Sequence, residues 1–406
     1  MNLSYFISKR ISRAQLGGFS TVIHKIAIVS IAIGLAAAIV SFLIMKGFKE
    51  TVENKVYSFS AHLNVTKYTL NNSTEEQPFD FNIDLYNNPG QFKFVDHVQE
   101  YTHKPGLIRT ENEILGVVLK GIGQSFDLAR FKENIIEGRF IQFNDTTYAK
   151  EVLLSKTIAD KLDIKLGDDV VVHFFQNPPR FRKLKLVGIY ETNLSDYFDN
   201  KIIMGDIKMV QRLNNWSDST AGGLQIYLKQ HTNVEEAATT IGESMDYDLF
   251  IEKVSDKYNQ VFEWLGLISR QVDILLVIIL IVVCVNMISV ILILVMERTS
   301  MIGLLKALGG TDKFIQSIFI YNGINLIAKG LLWGNVVGLG VCLVQYQFHL
   351  FKLNARDYYV SYVPIGWDWQ VVVGLNFLVF LVVALILVLP TAMISKISPI
   401  KAIRFD

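Results

Sequence analysis

Few side chains in this sequence could do chemistry, and none of them falls into a catalytic or metal-binding pattern. The seven histidines are scattered, without an H-E-x-x-H motif or cysteines paired at metal-ligand spacing. The glycine-rich stretch GVVLKGIG, residues 116–123, lacks the Lys-Ser/Thr ending of a phosphate-binding loop. Asp168 and Asp169 follow Gly167 and precede a strand, where adjacent carboxylates serve a turn. We therefore predict no catalytic residue, no metal site and no cofactor bound by this chain.

The composition indicates a membrane protein instead. The chain has 406 residues, of which 51% are hydrophobic, and its mean hydropathy is +0.32. The net charge of +1 leaves no basic face for a nucleic acid, so we expect no nucleic-acid partner. Cys284 and Cys342 both lie inside apolar runs and are interpreted as small buried hydrophobes, not as a disulfide.

Four apolar runs are each long enough to cross a bilayer, which takes about 20 residues. We place these transmembrane helices at residues 26–45, 272–296, 314–345 and 370–393. A large outer domain, residues 46–270, separates the first two helices, and a short outer loop, residues 346–369, precedes the fourth. The fold class is a membrane protein with four transmembrane α-helices and a large extracytoplasmic α+β domain inserted between helices 1 and 2.

Basic residues set the expected orientation. They occur in the N-terminal tail with its amphipathic segment (residues 1–25), in the connection at 297–313 and in the C-terminal tail at 394–406. The positive-inside rule places all three segments in the cytoplasm, together with both termini. The 46–270 domain then lies outside, because long loops translocate regardless of their charge.

Small residues recur at helical spacing on two of the transmembrane helices. The spacing i, i+4, i+8 predicts a stripe that lets another helix approach closely, although such residues also recur by chance in an Ala-rich helix. The stripes are Ser30, Gly34 and Ala38 in the first helix, and Gly330, Gly334 and Gly338 in the third. Asp273 and Asn286 are polar residues within the apolar second helix. Asn286 either forms a hydrogen bond to another helix or belongs to a transport pathway.

Alternating hydrophobicity and turn residues predict an α+β outer domain. The expected strands are 63–67, 116–121, 151–155, 170–175, 183–190 and 224–228, and the expected helices are 156–162 and 234–245. We expect two lobes divided near 120–150 or beyond 230. Apolar residues at helical spacing from Val254 to Val272 then predict one stalk helix that begins at about residue 254 and continues through the second transmembrane helix.

The sequence predicts a short amphipathic helix in the connection between the second and third transmembrane helices. Its predicted apolar side contains Met301, Ile302, Leu304, Leu305 and Leu308, with Lys306 facing away. Thr299 or Ser300 is expected to cap its start, Gly309 and Gly310 to end it, and Thr311 to open the next helix. A helix at a membrane face between two transmembrane helices can transmit a push from a soluble partner to both of them.

Several stretches resemble the LolC/LolE lipoprotein-releasing permeases, within the FtsX-like and MacB-type ABC permeases. They are AIVSIAIGLAAAIVSFLIMKGFKETV (27–52), GVVLKGI (116–122), IIEGRF (135–140), EVLLSKTIADKLDIKLGDDV (151–170), ERTSMIGLLKALGG (297–310) and ISPIKAIRFD (397–406). The resemblance covers the whole chain in order. One departure is the short connection QNPPRFR at 176–182, where LolC-type chains carry a longer hook loop that recruits a chaperone. Arg180 and Arg182 either contact an acidic partner there or lie in a solvated loop.

The resemblance implies a complex in the bacterial inner membrane, with the large domain in the periplasm. A LolD-like dimer of cytosolic ABC ATPases would bind ATP and Mg and drive two permease subunits, as a homodimer or a heterodimer. Triacylated lipoproteins would leave the outer leaflet for a LolA-like periplasmic chaperone. The ATPase-coupling residues would be Glu297, Arg298, Met301, Leu304, Leu305, Lys306, Leu308 and Gly309. The lipid cavity would be lined by Ile39, Phe42, Ile44, Met45, Phe48, Leu276 and Ile279.

Other functions share the same architecture. A MacB-like protein exports peptides or antibiotics through an outer-membrane duct, and an FtsX-like mechanotransmitter activates a cell-wall hydrolase and carries nothing. The apolar cavity candidates are also indistinguishable, by residue type alone, from side chains that pack against other helices or face lipid. Co-purified triacylated lipoprotein would single out lipoprotein release.

Overall fold

The computed structural model describes residues 19–69, 76–110, 113–144, 147–230 and 232–396. Most of the predicted N-terminal tail and the end of the C-terminal tail lie outside the described residues. Two compact units divide the chain. We call residues 1–50, 264–352 and 362–406 the helix bundle, and residues 51–263 with 353–361 the sheet domain.

In the described part of the chain, four helices are long and apolar enough to cross a membrane. Span 1 is Phe19–Ser60, span 2 is Asn259–Glu297, span 3 is Asp312–Phe348 and span 4 is Trp369–Ile386. Span 4 is followed by the short helix Val388–Thr391 and the 3-10 turn Ala392–Lys396. The predicted layout of one span, a large α+β domain and three further spans is confirmed.

Span 1 continues well beyond the apolar run that ends at Met45. Its last turns are amphipathic, because Val52, Val56 and Phe59 recur at helical spacing and are at most 1% exposed. Lys46 and Glu50 add an ion pair at i, i+4, with 3.5 Å between nitrogen and oxygen. Span 1 therefore continues as an amphipathic helix beyond its apolar part, and a hydropathy pattern alone does not show this extension.

The predicted continuous stalk from residue 254 is wrong in detail, because the helix is interrupted at Tyr258. A short helix, Val254–Lys257, ends there with φ −111° and ψ 38° at Tyr258, and span 2 begins at Asn259. The ring of Tyr258 packs edge-on against Phe198, with 5.3 Å between centroids. Its hydroxyl accepts a hydrogen bond from Ser60 at 3.3 Å. These contacts hold Tyr258 in a non-helical conformation between the two helices.

The sheet domain is built on one ten-stranded sheet. Its strands, in the order in which they pair, are β12 (Leu249–Lys253), β1 (Leu63–Lys67), β11 (Gly223–Leu228), β3 (Val95–Arg109), β4 (Ile114–Ile122), β9 (Ile202–Asp206), β6 (Glu151–Ser155), β8 (Arg180–Tyr190) and β5 (Ile135–Gly138). The tenth strand, β7 (Asp169–Phe174), pairs with both β3 and β8. β2 (Phe79–Asp80) and β10 (Thr220–Ala221) form a separate two-stranded pair.

The sheet domain also contains several short helices. They are Asp84–Asn87, Leu128–Phe131, Lys156–Leu162, Ile207–Asn214, Val234–Glu243 and Ala355–Tyr358, with 3-10 turns at Pro89–Gln91 and Lys132–Asn134 and a π turn at Ser195–Asp199. The helix Lys156–Leu162 is capped by Ser155, whose hydroxyl accepts from the amide of Ile158. Among the described residues, two of the hydrophobic clusters lie on this sheet.

The boundary between the two cores differs from the predicted one. One core contains Val98 and the other Ile108, so both share strand β3. The second core ends at Leu213, and the first resumes at Leu224. The second lobe is therefore inserted into the first between residues 98–108 and 213–224, not near 120–150 or beyond 230.

Lys120 holds the end of span 1 against the sheet. Its ammonium group donates to the backbone carbonyl of Phe59 and, at 3.2 Å, to Oε1 of Gln225. The ammonium also lies 4.4 Å from the centroid of the Phe59 ring. Complete burial lowers the pKa of Lys120 to about 7. A cation at a helix carboxyl end satisfies carbonyls that the helix leaves unpaired.

Candidate functional site

The helix Thr299–Ala307, which we call the interspan helix, joins span 2 to span 3. Neither Thr299 nor Ser300 caps it: Arg298 is the N-cap residue, and its side chain makes no capping hydrogen bond. The Thr299 hydroxyl donates instead to the carbonyl of Met296 at 2.7 Å, so the predicted cap is wrong. The helix ends before Gly309, whose φ of +88° favours glycine.

One side of the interspan helix is anchored in the helix bundle. Ile302 is completely buried in the bundle core, and Met301 and Leu305 pack against the same core. The amide of Gly310 donates to the carbonyl of Leu305 at 2.9 Å, which closes the last turn. The predicted apolar side is therefore divided, because only part of it packs against the bundle.

The other side of the interspan helix is exposed and apolar. Leu304 is 57% exposed, Leu308 is 76% exposed, and the nearby Met296 is 74% exposed. Glu297 is exposed beside them, and Arg298 is half-buried. Leu304 and Leu308 stand at i, i+4, so they present one apolar ridge. Such a ridge can enter a groove on another protein.

Lys306 lies toward the bundle, which contradicts the prediction that it faces away. Its ammonium group donates to the carbonyl of Ile394 at 2.8 Å and forms an ion pair with Asp312, also at 2.8 Å. Its side chain is 11% exposed. Because Asp312 begins span 3 and Ile394 follows span 4, Lys306 links the interspan helix to the ends of both spans.

The small-residue stripes lie at the contacts between helices. Asn286 of span 2 donates to the hydroxyl of Ser30 at 2.8 Å, so the helix–helix hydrogen bond is the interpretation that the structure supports. A Cβ on Gly34 would lie 2.6 Å from a methyl group of Val283. Ala38 is buried in the same core. This face of span 1 therefore packs closely against span 2.

The glycines of span 3 contact another face of span 1. A Cβ on Gly330 would lie 2.6 Å from Cβ of Ile31, and a Cβ on Gly334 would lie 2.9 Å from Cβ of Leu35. Gly338 continues the series, 3.0 Å from Cα of Ala36. Span 1 therefore lies between spans 2 and 3, and spans 1 and 3 run parallel.

The predicted lipid-cavity residues differ in exposure. Ile39 and Phe48 are buried by the chain's own side chains. The half-buried ones are Phe42, Ile44, Met45, Leu276 and Ile279. A lipid chain would therefore reach Ile39 only after the helices move. Span 2 nevertheless presents an exposed apolar face, formed by Ile274, Leu275, Val277, Ile278, Ile281, Val282 and Val285.

Other side chains were not singled out from the sequence. Lys46 forms an ion pair with Asp368, which precedes span 4. Lys329 is an exposed cation within the apolar length of span 3. An intramembrane lysine is a signal that the sequence offers, since charged residues are rare in spans.

The connection at 176–182 forms a tight hairpin between β7 and β8. Arg180 begins β8, and its guanidinium donates to the carbonyl of Leu213 at 3.1 Å, so this arginine is tied to its own domain. Phe175 and Phe181 are 60% and 62% exposed. The hairpin thus offers two aromatic rings to solvent.

Comparison with known proteins gives the family. The MacB-like periplasmic core domain family matches residues 26–243, and the FtsX-like permease C-terminal family matches residues 274–399. LolC of Neisseria meningitidis, a lipoprotein-releasing system transmembrane protein, is 24% identical over 434 residues and covers 100% of both chains. LolE of Haemophilus influenzae, with the same description, is 24% identical over 430 residues and covers 99% of both.

Among solved structures, the periplasmic region of MacB from Actinobacillus actinomycetemcomitans is similar to half of the chain. It has a TM-score of 0.36 and 15% identity, and it covers 50% of this chain and 92% of the MacB chain. A likeness of this size carries no weight beyond the family matches. Those matches together span the periplasmic domain and the spans that follow it. The chain is a membrane protein with a periplasmic α+β domain, and it belongs to the LolC/LolE family within the superfamily of FtsX-like and MacB-like ABC transporter permeases.

Proposed function

We propose that this chain is a permease subunit that extracts triacylated lipoproteins from the outer leaflet of the bacterial inner membrane for delivery to the outer membrane. A LolD-like ATPase dimer, which binds ATP and Mg, supplies the energy, and a second permease subunit completes the complex. A LolA-like periplasmic chaperone receives the cargo. The proposal is supported by relatives described as lipoprotein-releasing transmembrane proteins that align over the full chain.

The observation that carries the coupling mechanism is the two-sided interspan helix. Ile302 fixes one side in the bundle, while Leu304 and Leu308 project from the other. Apolar side chains exposed on one ridge suit a protein partner, and the exposed Glu297 at the end of span 2 precedes this helix. The ATPase is proposed to hold this ridge in a groove, as an amphipathic helix is held by its apolar anchors.

Lys306 supports the transmission of movement from that groove. It bonds to the carbonyl of Ile394 and to the carboxylate of Asp312. A displacement of the interspan helix would therefore act on the ends of spans 3 and 4 as well as on span 2, which precedes it. A hydrogen bond that involves a charged group, such as those of the Lys306 ammonium, contributes about 1.5–3 kcal/mol to stability.

The lipid-binding step is assigned to the apolar face of span 2 and the outer half of span 1. Acyl chains need only an apolar, adaptable wall. Leu276, Ile279 and Phe42 are half-buried against the bundle core, where movement of a helix would expose them. A second permease subunit facing the exposed side of span 2 would close the other wall.

The proposed orientation has both termini in the cytoplasm. Lys25 and Lys46 flank the apolar part of span 1, about 31 Å apart at the α-helical rise. That distance matches a hydrocarbon core of about 30 Å. The interspan helix, with Lys306 and Lys313, is then on the same side as Lys25.

The test is reconstitution of the full complex in proteoliposomes, with ATP hydrolysis and lipoprotein release measured together. The double variant Leu304→Asp/Leu308→Asp places carboxylates on the ridge and is expected to lower ATP-dependent release by at least about tenfold, the effect of roughly 1.4 kcal/mol. The matched control, Leu304→Met/Leu308→Met, keeps an apolar ridge of similar volume and is expected to retain release. Full release by the aspartate variant would contradict the assignment of the coupling helix. If no acylated protein is bound or released, the assignment of lipoproteins as the cargo is wrong.

A further inference from the structure

An apolar groove opens between spans 1 and 3 on the surface of the helix bundle. It has a volume of about 470 Å³ and is lined by Lys25 at one end and by apolar side chains that include Val29, Ile33, Trp333 and Val337. Each of these four apolar side chains is at least 50% exposed. The groove therefore faces whatever surrounds the bundle in the membrane.

Lys25 lines this groove, and Lys329 lies one helical turn before the lining residue Trp333 on the opposite wall. Lys25, Val29 and Ile33 follow each other at i, i+4, i+8 along span 1. Lys329, Trp333 and Val337 have the same spacing along span 3. Residues at this spacing share one helix face, so each groove wall begins with a lysine and continues with apolar side chains.

The depth of the second lysine is unusual. Because Gly330 packs on Ile31 and Gly334 on Leu35, Lys329 is level with the turn just before Ile31. It is therefore about 7 Å deeper in the membrane than Lys25, at the helical rise. A lysine at that depth extends its chain along the apolar wall toward the interface. This extension reduces the difference in depth between the ammonium groups of Lys329 and Lys25.

Neither lysine has an acidic partner within the described part of the chain. The ion pairs of those residues involve other cations. Carboxylates near this end of the bundle, Glu297 and Asp312, lie beyond the apolar parts of spans 2 and 3. A second copy of the chain seated in the groove would leave two ammonium groups facing apolar side chains, which is costly. An anionic phospholipid supplies both a phosphate and acyl chains.

We propose that this groove binds an anionic phospholipid, with its phosphate held by Lys25 and Lys329 and one acyl chain lying along Trp333 and Val337. Basic pockets between membrane helices take anionic lipid headgroups in this way. The leaflet is the cytoplasmic one under the proposed orientation, whereas the chemistry of the site is independent of the transport function. The site is distinct from the span 1–span 2 contact assigned to cargo.

Trp333 provides the probe for the experiment. A variant that keeps Trp333 and replaces Trp216, Trp264, Trp367 and Trp369 with Phe is reconstituted in vesicles of phosphatidylcholine. Brominated phosphatidylglycerol or brominated phosphatidylcholine is then titrated in, and quenching of Trp333 fluorescence gives their relative association. Each lysine is expected to contribute about fivefold to the preference for the anionic lipid. In the Lys25→Gln/Lys329→Gln variant, the two brominated lipids are expected to quench Trp333 fluorescence equally.

The matched control is Lys313→Gln, which removes one cation from span 3 on the opposite face of the helix. It is expected to keep the preference. If the single-tryptophan variant does not fold, the fluorescence is replaced by mass spectrometry of the lipids retained by the otherwise unchanged protein and by its Lys25→Gln/Lys329→Gln variant. An equal response of the unchanged protein to both lipids, or a preference that survives loss of both lysines, overturns the proposal. So does a disulfide between two copies through Ile33→Cys in a background without Cys284 and Cys342, because the groove would then hold a second chain.

Discussion

Gly47 and Gly366 contact each other through their backbones at the end of the apolar part of span 1. A Cβ on Gly47 would lie 2.4 Å from the amide nitrogen of Gly366, and a Cβ on Gly366 would lie 2.5 Å from that of Gly47. The Gly366 amide donates to the carbonyl of Leu43 at 2.9 Å. The segment leading into span 4 is therefore bonded directly to span 1, and Lys46 pairs with Asp368 beside this contact.

We predict that Gly47→Ala destabilises the helix bundle. The added methyl group meets backbone atoms, which cannot move aside as a flexible side chain can, so overpacking of about 1–3 kcal/mol is expected. A lower thermal unfolding midpoint in detergent would report it. Gly340→Ala is the matched control, because its Cβ would meet nothing within 4 Å. Equal midpoints for the two alanine variants would contradict the importance of the contact.

Lys120→Met is predicted to change how stability depends on pH. Burial lowers the folded-state pKa of Lys120 to about 7, below its unfolded value near 10.5. Between these two values the unfolded chain binds a proton that the folded chain does not, so this lysine makes stability rise with pH and adds no slope below about 7. The Met variant loses that contribution.

The measurement for Lys120 is the thermal midpoint of the full chain at several pH values from 7 to 9.5. The difference between the unchanged chain and Lys120→Met isolates the lysine from other titrating groups. Lys161→Met, an exposed lysine of the same domain, serves as control and is expected to leave the pH dependence unchanged. A pH-independent difference between the Lys120 variant and the unchanged chain would show that the pKa of Lys120 is not lowered.

Local sequence patterns predicted much of the sheet domain but not its central strand. β1 and β6 have the bounds that alternation indicated. β3 was missed because it contains buried polar residues and a proline, which argue against a central strand. The Gln99 amide donates to Oε1 of Gln225 at 3.0 Å, and Nδ1 of His103 donates to the Glu76 carboxylate at 2.5 Å. These partners come from distant parts of the chain, so no local pattern indicates that the polar groups can be buried.

The interspan helix shows the same limit at the candidate site. Its existence and its glycine end followed from apolar spacing and from Gly309. The direction of Lys306 did not, because its partners, Ile394 and Asp312, become neighbours only when spans 3 and 4 pack. An amphipathic pattern also could not separate Ile302, which is buried, from Leu304, which is exposed.

We predict that Lys306→Met uncouples ATP hydrolysis from lipoprotein release while the ATPase stays bound. Methionine keeps most of the side-chain volume but cannot bond to Ile394 or Asp312, so the interspan helix loses its link to spans 3 and 4. Co-purification of the ATPase should be unchanged, and release per ATP hydrolysed should fall. Lys313→Met, which removes an exposed lysine nearby, is the control. Loss of ATPase binding in Lys306→Met would instead assign this lysine to the docking surface.

The proposed orientation of the chain predicts opposite labelling of two exposed positions. Tyr247 is fully exposed in the sheet domain, and Leu308 is 76% exposed at the interspan helix. Cysteines are introduced at each position in a background in which the buried Cys284 and Cys342 are replaced by Ala. The chain is expressed without its ATPase, since a docked partner would cover Leu308.

An impermeant maleimide added to cells with a permeabilised outer membrane is expected to modify Tyr247→Cys and to leave Leu308→Cys unmodified. Lysis of the inner membrane should then make Leu308→Cys reactive, which shows that protection came from the membrane and not from burial. The reverse labelling order would invert the topology, and the interspan helix would then face the periplasm, where no cytosolic ATPase can reach it. Because basic residues near several cytoplasmic ends of the spans favour the proposed orientation, replacing Lys25 alone should not reverse it while Lys306 and Lys313 remain.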